Sequence, residues 1–230
     1  MLLAMQIGVV GGTGPAGTGL SARLASLGHE VLVGSRDAAR AQGVVWELRD
    51  RWADRVVGLR GVANEDAASE PDLVVLATVW EAVVDTAGAL APYLAGKVVV
   101  TMANGLERVG REFRAVLPPE GSLALAVQAA APDARVVAAF QHVPAAAFAE
   151  LDDPLESDVV VCGDDAEART AVLDLVASMP ALRAFDGGGL ANALGIEAFA
   201  AVLLSVNLRH RGKGTLKLLG VKGHEAGAGA

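Results

Sequence analysis

The sequence has little of what builds covalent or metal frameworks. Cys162 is its single cysteine, which excludes an internal disulfide and a cysteine-based zinc cluster. Because it ends an apolar run that begins at Val159, we expect it to be a small buried hydrophobe. Aromatic residues make up only 4% of the chain. Alanine, valine, leucine and glycine must therefore build the core, which suits helices packed closely on a parallel sheet.

Signals for a membrane or a nucleic acid are also lacking. The most apolar stretch, residues 198–206, is far shorter than the roughly 20 residues of a membrane span. Residues 1–4 have neither the basic region nor the cleavage site of a signal peptide. A net charge of −8 opposes general affinity for nucleic acid. We therefore expect a cytoplasmic protein without a membrane or nucleic-acid partner.

Short apolar runs alternate with segments of helical periodicity along the chain. The runs predict strands over residues 6–10, 30–34, 72–78, 97–101, 135–140, 158–162 and 182–185. The periodic segments predict helices over residues 17–27, 37–53, 80–94, 122–131 and 190–210, with another helix capped by Asp164. Residues 105–121 are expected to form a loop with a short helix, and residues 215–221 a last strand.

This alternation predicts an α/β protein, with a Rossmann-type doubly wound, mostly parallel sheet and a small C-terminal α/β appendage. We expect a dinucleotide-binding domain over residues 1–150, a small domain completing the site over 151–221, and a disordered tail over 222–230. The apolar helix over 190–210 is a candidate homodimer face, because a helix apolar nearly all round must be buried somewhere.

A G-x-G-x-x-G motif, Gly12-Thr13-Gly14-Pro15-Ala16-Gly17, lies between the first strand and the first helix. In this context the motif is typical of a dinucleotide-binding turn. Gly12 permits a tight turn, Gly14 lets the main chain approach a pyrophosphate, and Gly17 lets the helix pack against the strand. The free N–H groups at the helix start bind the anion, except at Pro15, which has none.

The end of the second strand distinguishes NADP from NAD. An acidic residue there binds the ribose 2′-hydroxyl, whereas a basic residue accommodates a 2′-phosphate. Ser35 offers a hydroxyl, Arg36 offers a planar fork suited to phosphate, and Arg40 lies one helical turn further on. Asp37 would become an NAD-type acid after a shift of two residues, but we interpret it as the cap of the second helix. The sequence therefore favours NADP.

With these motifs the chain resembles the NADPH-dependent reductases of coenzyme F420, an 8-hydroxy-5-deazaflavin. The resemblance covers residues 5–221 and is carried by segments 11–17, 27–31, 33–36, 64–68, 78–81, 138–145, 158–165 and 205–209, with Asn192 and Glu197. It implies direct hydride transfer between nicotinamide C4 and deazaflavin C5, so NADP and coenzyme F420 are the expected partners. Such chemistry belongs to the cofactors and needs neither a nucleophile nor a metal.

The resemblance also implies site residues. Thr13, Pro15 and Ala16 match the pyrophosphate loop, and Ser35, Arg36 and Arg40 match the 2′-phosphate site. Trp80, Val84 and Ala145 match positions lining the nicotinamide half, although Trp80 would equally serve to cover the sheet edge.

Two segments depart from the relatives. Archaeal relatives place a histidine where this chain has Gln141, and the histidine here is displaced to His142. Because adjacent residues on a strand point to opposite faces, either Gln141 or His142 faces the ring pocket, and His142 either transfers a proton or caps a strand end. Relatives often carry a proline-containing loop where this chain has residues 101–105. Asn104 in this segment is a candidate to hydrogen-bond the edge of a ring.

Two further features allow more than one interpretation. The cluster of Arg209, Arg211 and Lys213 either interacts with a helix dipole or holds the phosphate and oligoglutamate tail of the deazaflavin. The same scaffold also suits an NADP-dependent reductase of a small imine or carbonyl compound, or a non-catalytic NADP-sensing module.

Overall fold

The structure is a computed structural model and describes residues 4–225 of the chain. Its strands, in chain order, are β1 (Gln6–Val10), β2 (Glu30–Ser35), β3 (Leu59–Ala63), β4 (Leu73–Leu76), β5 (Val98–Thr101), β6 (Leu106–Val109), β7 (Glu112–Ala115), β8 (Arg135–Ala138), β9 (Ser157–Gly163) and β10 (Leu182–Asp186). Its α-helices are α1 (Pro15–Ser26), α2 (Ala38–Trp52), α3 (Asn64–Ser69), α4 (Trp80–Leu94), α5 (Leu123–Ala130), α6 (Ala145–Phe148), α7 (Ala166–Ala177) and α8 (Ala193–His210).

Eight of these strands form one sheet, in the order β10-β9-β8-β5-β4-β1-β2-β3. The β8–β9 pair is antiparallel, and the other pairs of this sheet are parallel. The chain adds β2 and β3 on one side of β1 and then returns to add β4 and β5 on the other. This confirms the predicted Rossmann-type, mostly parallel α/β sheet. In such sheets a ligand binds outside the carboxyl ends of the strands, at the point where the strand order reverses.

Helices cover both faces of the sheet. On one face, α1, α2 and α7 contribute Leu20, Val45 and Val172 to the core. On the other, α4 and α5 contribute Val83 and Val127, with α3 and α8 beside them. A sheet covered on both sides requires strands that are apolar on both faces, which is why β1, β4 and β5 appear in the sequence as short continuous apolar runs.

Cys162 lies within β9 and is fully buried, which confirms the expectation of a small buried hydrophobe. Burial raises the pKa of its thiol to about 11, and the charge of Asp186 acts in the same direction. The thiol is therefore protonated and unreactive near neutral pH.

Helix caps agree with the sequence at α2 and differ at α7. The Asp37 carboxylate accepts a hydrogen bond from the Ala39 N–H at 2.9 Å, so Asp37 is the predicted cap of α2. The cap of α7 is Asp165, which accepts from the Ala168 N–H at 2.7 Å. The prediction of Asp164 was wrong by one residue. Asp164 instead accepts from the Leu190 N–H at 2.8 Å, a long-range contact that helix periodicity cannot reveal.

The segment predicted as a loop with a short helix is instead a hairpin of β6 and β7. Gly110 adopts a φ of 61° in the turn, a conformation that glycine adopts readily. The hairpin packs on α8, where the Phe113 N–H donates to the Ser205 hydroxyl at 2.7 Å. Two four-residue strands stabilised by a distant helix give little local signal, and so the prediction was wrong.

The prediction for the C-terminal segment also differs from the structure. Residues 215–221 do not form the predicted strand, although the Leu216 carbonyl accepts from the Asp158 N–H at 2.9 Å. The tail that was predicted to be disordered includes His224, which lies within the described residues. His224 forms an isolated β-bridge with Ala184, and its ring contacts Asp174 at 2.7 Å, so these contacts hold it in place. Residues 226–230 of that predicted tail lie outside the described residues. The strands β9 and β10 extend the main sheet, and the domain boundary near residue 150 stays a prediction.

Candidate active site at the carboxyl edge of the sheet

The glycine turn follows β1 at the switch point of the sheet. The Gly12 N–H donates to the carbonyls of Val9 at 3.1 Å and Gly34 at 2.8 Å. A Cβ at Gly12 would lie 2.8 Å from the Val9 carbonyl oxygen, and one at Gly17 would lie 2.7 Å from the Gly12 Cα. Gly12 and Gly17 are therefore required by the packing of the turn itself.

Gly14 differs from these two glycines. Its backbone has φ −80°, and the nearest atom to an added Cβ would be the Gly11 carbonyl oxygen at 3.6 Å. The protein has room for a side chain here, so the fold does not explain the glycine. The space over Gly14 opens beside the start of α1, where the first-turn N–H groups lack helical partners. This space and these donors suit a pyrophosphate.

Two side chains that were not predicted as site residues hold the turn. The Asn64 Oδ1, at the start of α3, accepts from the Gly11 N–H at 3.1 Å. The Thr18 hydroxyl, in α1, donates to the Gly12 carbonyl at 3.0 Å. Asn64 is separated from the turn by about fifty residues of sequence, and only its place in the 64–68 motif pointed to it.

The end of β2 presents the predicted 2′-phosphate residues. Ser35 is buried and its hydroxyl oxygen accepts from the Asp37 N–H at 3.2 Å, which leaves its own proton free to donate. Arg36 and Arg40 are exposed, and neither makes an ion pair within residues 4–225. The structure therefore places a hydroxyl and two available guanidinium groups beyond the carboxyl end of the strand next to β1.

Buried polar atoms without partners mark the rest of this edge. Five such side-chain atoms occur among the described residues, and three of them lie just beyond the carboxyl ends of neighbouring strands. They are the Thr78 Oγ1 after β4, the Asn104 Oδ1 after β5 and the Gln141 Oε1 after β8. A buried polar atom without a hydrogen bond is energetically unfavourable. Their alignment beside the glycine turn therefore fits a polar ligand that lies across these strand ends.

Gln141 and His142 point to different surroundings. The Gln141 Nε2 donates to the Thr101 carbonyl at 3.1 Å, at the end of β5. The His142 Nε2 bonds to the Ile196 carbonyl in α8 at 2.7 Å, and its ring meets the Phe199 ring edge-on. Because a carbonyl can only accept, His142 Nε2 carries a proton. Burial lowers the pKa of His142. A neutral histidine that anchors α8 fits this geometry.

Glu197 completes that anchor. It lies in the second turn of α8 and is 2% exposed. Its carboxylate accepts from the Leu123 N–H at 2.7 Å and the Ala124 N–H at 3.0 Å, at the first turn of α5. Burial raises the pKa of Glu197, and these two hydrogen bonds oppose the rise. Adjacent residues Ile196 and Glu197 thus fix α8 to both His142 and α5.

The remaining predicted residues divide between this edge and the C-terminal end of α8. Trp80 and Val84 occupy the first two turns of α4 after β4, and Ala145 begins α6 after β8. The cluster of Arg209, Arg211 and Lys213 lies at the other end of α8, roughly 20 Å along the helix from Ile196. Arg209 there pairs with Glu112 of the hairpin at 3.1 Å.

A cleft of about 340 Å³ lies at the opposite edge of the sheet. It is lined at the amino ends of strands by residues that include Gln6, Leu73, Val98 and Arg135. Parallel sheets of this class bind their ligands at the carboxyl edge. The cleft is therefore not part of the site described above.

The fold and the glycine turn define a Rossmann-type protein of the dinucleotide-binding class. A family model described as NADP oxidoreductase, coenzyme F420-dependent, matches residues 6–105. The F420-dependent NADP reductase of Methanocaldococcus jannaschii is 35% identical over 215 residues, which cover 92% of this chain and 96% of that relative. The enzyme of the same name from Methanothermobacter thermautotrophicus is 32% identical, covering 91% and 92%. The chain therefore belongs to the F420-dependent NADP reductase family.

A solved structure agrees with this membership. It is described as a candidate F420-dependent NADP reductase from Arthrobacter sp. FB24, and it shares 28% identity with this chain. The superposition gives a TM-score of 0.80 and covers 94% of this chain and 99% of that one. The fold is therefore shared over almost the whole length of both chains.

Proposed function

We propose that this protein is an oxidoreductase that transfers a hydride between NADP(H) and coenzyme F420. The observation that carries the choice of hydride partner is the match over 92% of the chain to a relative named F420-dependent NADP reductase. The open space over Gly14, and the exposed Arg36 and Arg40, which form no ion pair in the part of the chain that the structure describes, support the NADP half. When both cofactors are bound, the hydride passes directly from ring to ring.

The contribution of the chain is binding and orientation. The N–H groups of Thr13, Ala16 and Gly17 would hold the pyrophosphate, because Pro15 has no N–H and the Gly14 N–H already donates to the Gly11 carbonyl at 3.2 Å. Ser35, Arg36 and Arg40 would hold the 2′-phosphate. Trp80, Val84 and Ala145 would line the nicotinamide half, and α4 and α6 would close it from solvent. We assign no proton transfer to His142, because its Nε2–H is engaged by Ile196.

Mixing the protein with NADPH and oxidised coenzyme F420 tests this function. We expect the absorbance of the oxidised deazaflavin and that of NADPH both to decrease. One mole of NADPH should be consumed for each mole of deazaflavin reduced. A panel of cyclic imines and small carbonyl compounds serves as the comparison, since another NADP reductase on this fold would reduce one of those instead. NADPH oxidation with an imine and none with F420 would refute the proposal.

Removing the two free arginines should change cofactor preference. We expect the Arg36→Ala/Arg40→Ala double variant to bind NADPH about 100-fold more weakly, because each guanidinium–phosphate contact is a charge-assisted hydrogen bond. NADH binding should stay nearly constant, since NADH lacks the 2′-phosphate. Titration of both cofactors measures the effect, and Arg51→Ala on the same helix, where Arg51 pairs with Glu150, is the control. Equal losses for NADPH and NADH would contradict the assignment.

We also propose that α8 joins two copies of the chain into a homodimer. We further propose that the protein is cytoplasmic and has neither a membrane nor a nucleic-acid partner. Leu190–His210 is long and apolar enough to span a bilayer. However, Glu197 in the second turn of α8 is hydrogen-bonded to α5, which holds this end of the helix in the fold. Phe199, Val202 and Val206 are spaced along one side of it and are 42%, 53% and 46% exposed. An apolar stripe of this kind suits a self-complementary interface.

A charge placed in this stripe should separate the copies. We expect Val202→Asp to raise the dimer dissociation constant on the order of 100-fold, because an unpaired carboxylate would be buried at the interface. Sedimentation velocity over a concentration series reports the change. The control is Val57→Asp, at a residue that is 67% exposed and lies outside α8. Identical sedimentation of the wild-type and Val202→Asp proteins would exclude α8 as the interface.

A further inference from the structure

Two side-chain amides meet where β5 and β8 end. The Asn104 Nδ2 donates to the Gln141 main-chain carbonyl at 3.0 Å, and the Gln141 Nε2 donates to the Thr101 carbonyl at 3.1 Å. A carbonyl oxygen only accepts, so each partner requires the –NH₂ side of the amide. The orientation of both amides is therefore determined by their partners, and both amide oxygens are left over.

These two oxygens are acceptors without donors. The Asn104 Oδ1 and the Gln141 Oε1 are both buried and lack a hydrogen-bond partner among the described residues. Gln141 as a whole is only 6% exposed. Buried acceptors of this kind are unfavourable unless a ligand supplies N–H or O–H groups. The pair therefore selects a ligand that brings donors to this position.

The topology indicates which end of the dinucleotide arrives here. The 2′-phosphate residues lie at the end of β2 and the glycine turn lies at the end of β1, with β4, β5 and β8 following in that order. A dinucleotide placed with its adenosine half over β2 and its pyrophosphate over β1 continues towards β4 and β5, with neighbouring strands about 4.8 Å apart. Its nicotinamide end thus reaches the strand ends that carry Asn104 and Gln141.

The two rings expected in this site, nicotinamide and deazaflavin, differ in the hydrogen-bond donors that they carry. The nicotinamide carboxamide is a primary amide with two N–H groups on one nitrogen, which matches two neighbouring acceptors. The pyrimidinedione of a deazaflavin has one N–H between two carbonyls, so it would bring two acceptors towards these oxygens. Resting on the proposed function, we propose that Asn104 and Gln141 bind the –NH₂ of the nicotinamide carboxamide through their side-chain oxygens. They thereby determine which face of the ring is turned towards the hydride partner.

Binding of cofactor analogues tests this proposal without any turnover. In the 3-acetylpyridine analogue of NADP a methyl ketone replaces the carboxamide, so both N–H donors are lost. The thionicotinamide analogue keeps the –NH₂ group. We expect the wild-type protein to bind the acetylpyridine analogue about tenfold more weakly than NADP and the thionicotinamide analogue about as well as NADP, as judged by calorimetric titration.

The Gln141→Met variant should remove most of this discrimination. Methionine has a similar length and no amide, and the Thr101 carbonyl still accepts from the Ala139 N–H at 3.1 Å. We expect the ratio between NADP and its acetylpyridine analogue to fall from about tenfold to about twofold, through weaker NADP binding. The matched control is Gln128→Met, because Gln128 bonds to main-chain groups of Ala134 and Val136 at the amino end of β8, on the edge of the sheet opposite the site. That variant should keep the wild-type ratio.

The outcomes separate this inference from the proposed function. Equal wild-type affinity for NADP and the acetylpyridine analogue would overturn the inference, and so would an unchanged ratio in Gln141→Met, even if F420 is reduced normally. Failure to bind NADP at all would overturn the proposed function with it. If Gln141→Met does not fold, Asn104→Leu provides the same test from the other acceptor and should also lower the ratio.

Discussion

Gly14→Ala is expected to weaken NADPH binding about 100-fold while leaving the fold intact. The added Cβ would meet no protein atom closer than 3.6 Å, and the φ of −80° is open to alanine. The methyl group would instead occupy the space into which a pyrophosphate fits, and overpacking of this kind costs roughly 1–3 kcal/mol. Titration with NADPH measures the loss. Thermal unfolding of the ligand-free protein should be nearly unchanged.

Gly17→Ala is the matched control because it adds the same methyl group one turn further on. There the Cβ would lie 2.7 Å from the Gly12 Cα, and main-chain atoms cannot move aside as side chains can. This variant should lower the free energy of unfolding by about 1–3 kcal/mol. A Gly14→Ala protein that binds NADPH like the wild type would show that the cofactor does not approach the turn at that point.

Asp158→Ala is expected to lower the free energy of unfolding by about 1.5–3 kcal/mol, the range for losing hydrogen bonds to a charged group. Asp158 is fully buried in β9. Arg183 of β10 contacts its two oxygens at 2.7 and 2.6 Å, and the Leu218 N–H contacts it as well. The substitution would leave the Arg183 guanidinium without its carboxylate and release the segment that follows α8. Urea denaturation, followed by far-ultraviolet circular dichroism, measures the change.

An exposed pair provides the control for Asp158. Arg60 and Glu70 bond at 2.7 Å, but their side chains are 48% and 39% exposed. Glu70→Ala should therefore change the free energy of unfolding by less than about 1 kcal/mol. Comparable losses from the two substitutions would contradict the claim that burial makes the Asp158–Arg183 pair important.

The Asp158–Arg183 ion pair should also affect how the free energy of unfolding depends on pH. Burial by itself raises the pKa of Asp158, but the Arg183 and Leu218 hydrogen bonds and the charges of Arg183 and Lys217 together hold it below its ordinary value. A carboxylate with a lowered pKa stabilises the fold above its unfolded pKa, near 4, and this stabilisation is lost as the pH falls through the folded pKa. Below about pH 4, the unfolding free energy of Asp158→Asn should therefore fall less steeply with decreasing pH than that of the wild type.

Elements with a strong local signal could be predicted, and those that depend on distant partners could not. The helix Trp80–Leu94 was predicted with the observed bounds, since its apolar periodicity and its neighbouring buried strands are local patterns. The strand Leu59–Ala63 was missed, because it lies at the sheet edge and alternates irregularly between buried and exposed residues. The hairpin of β6 and β7 was missed because α8, nearly a hundred residues later, supports it.

The candidate site divides in the same way. The glycine turn and the group of Ser35, Arg36 and Asp37 are contiguous in sequence, so their types and spacing indicate an NADP site before any fold is known. The choice between Gln141 and His142 could not be made from adjacency alone. It depends on the position of Thr101 and Ile196, which lie 40 and 54 residues away in sequence.

The sequence by itself determined the fold class, the dinucleotide turn and the preference for a 2′-phosphate, because each depends on residues within one turn or one strand–helix unit. Only the tertiary structure decided that Asn64 holds the turn, that Glu197 joins α8 to α5, and that Asn104 and Gln141 leave two acceptors unpaired. These properties arise where the ends of separate strands converge, and whether a buried polar atom has a partner depends on all the elements that surround it.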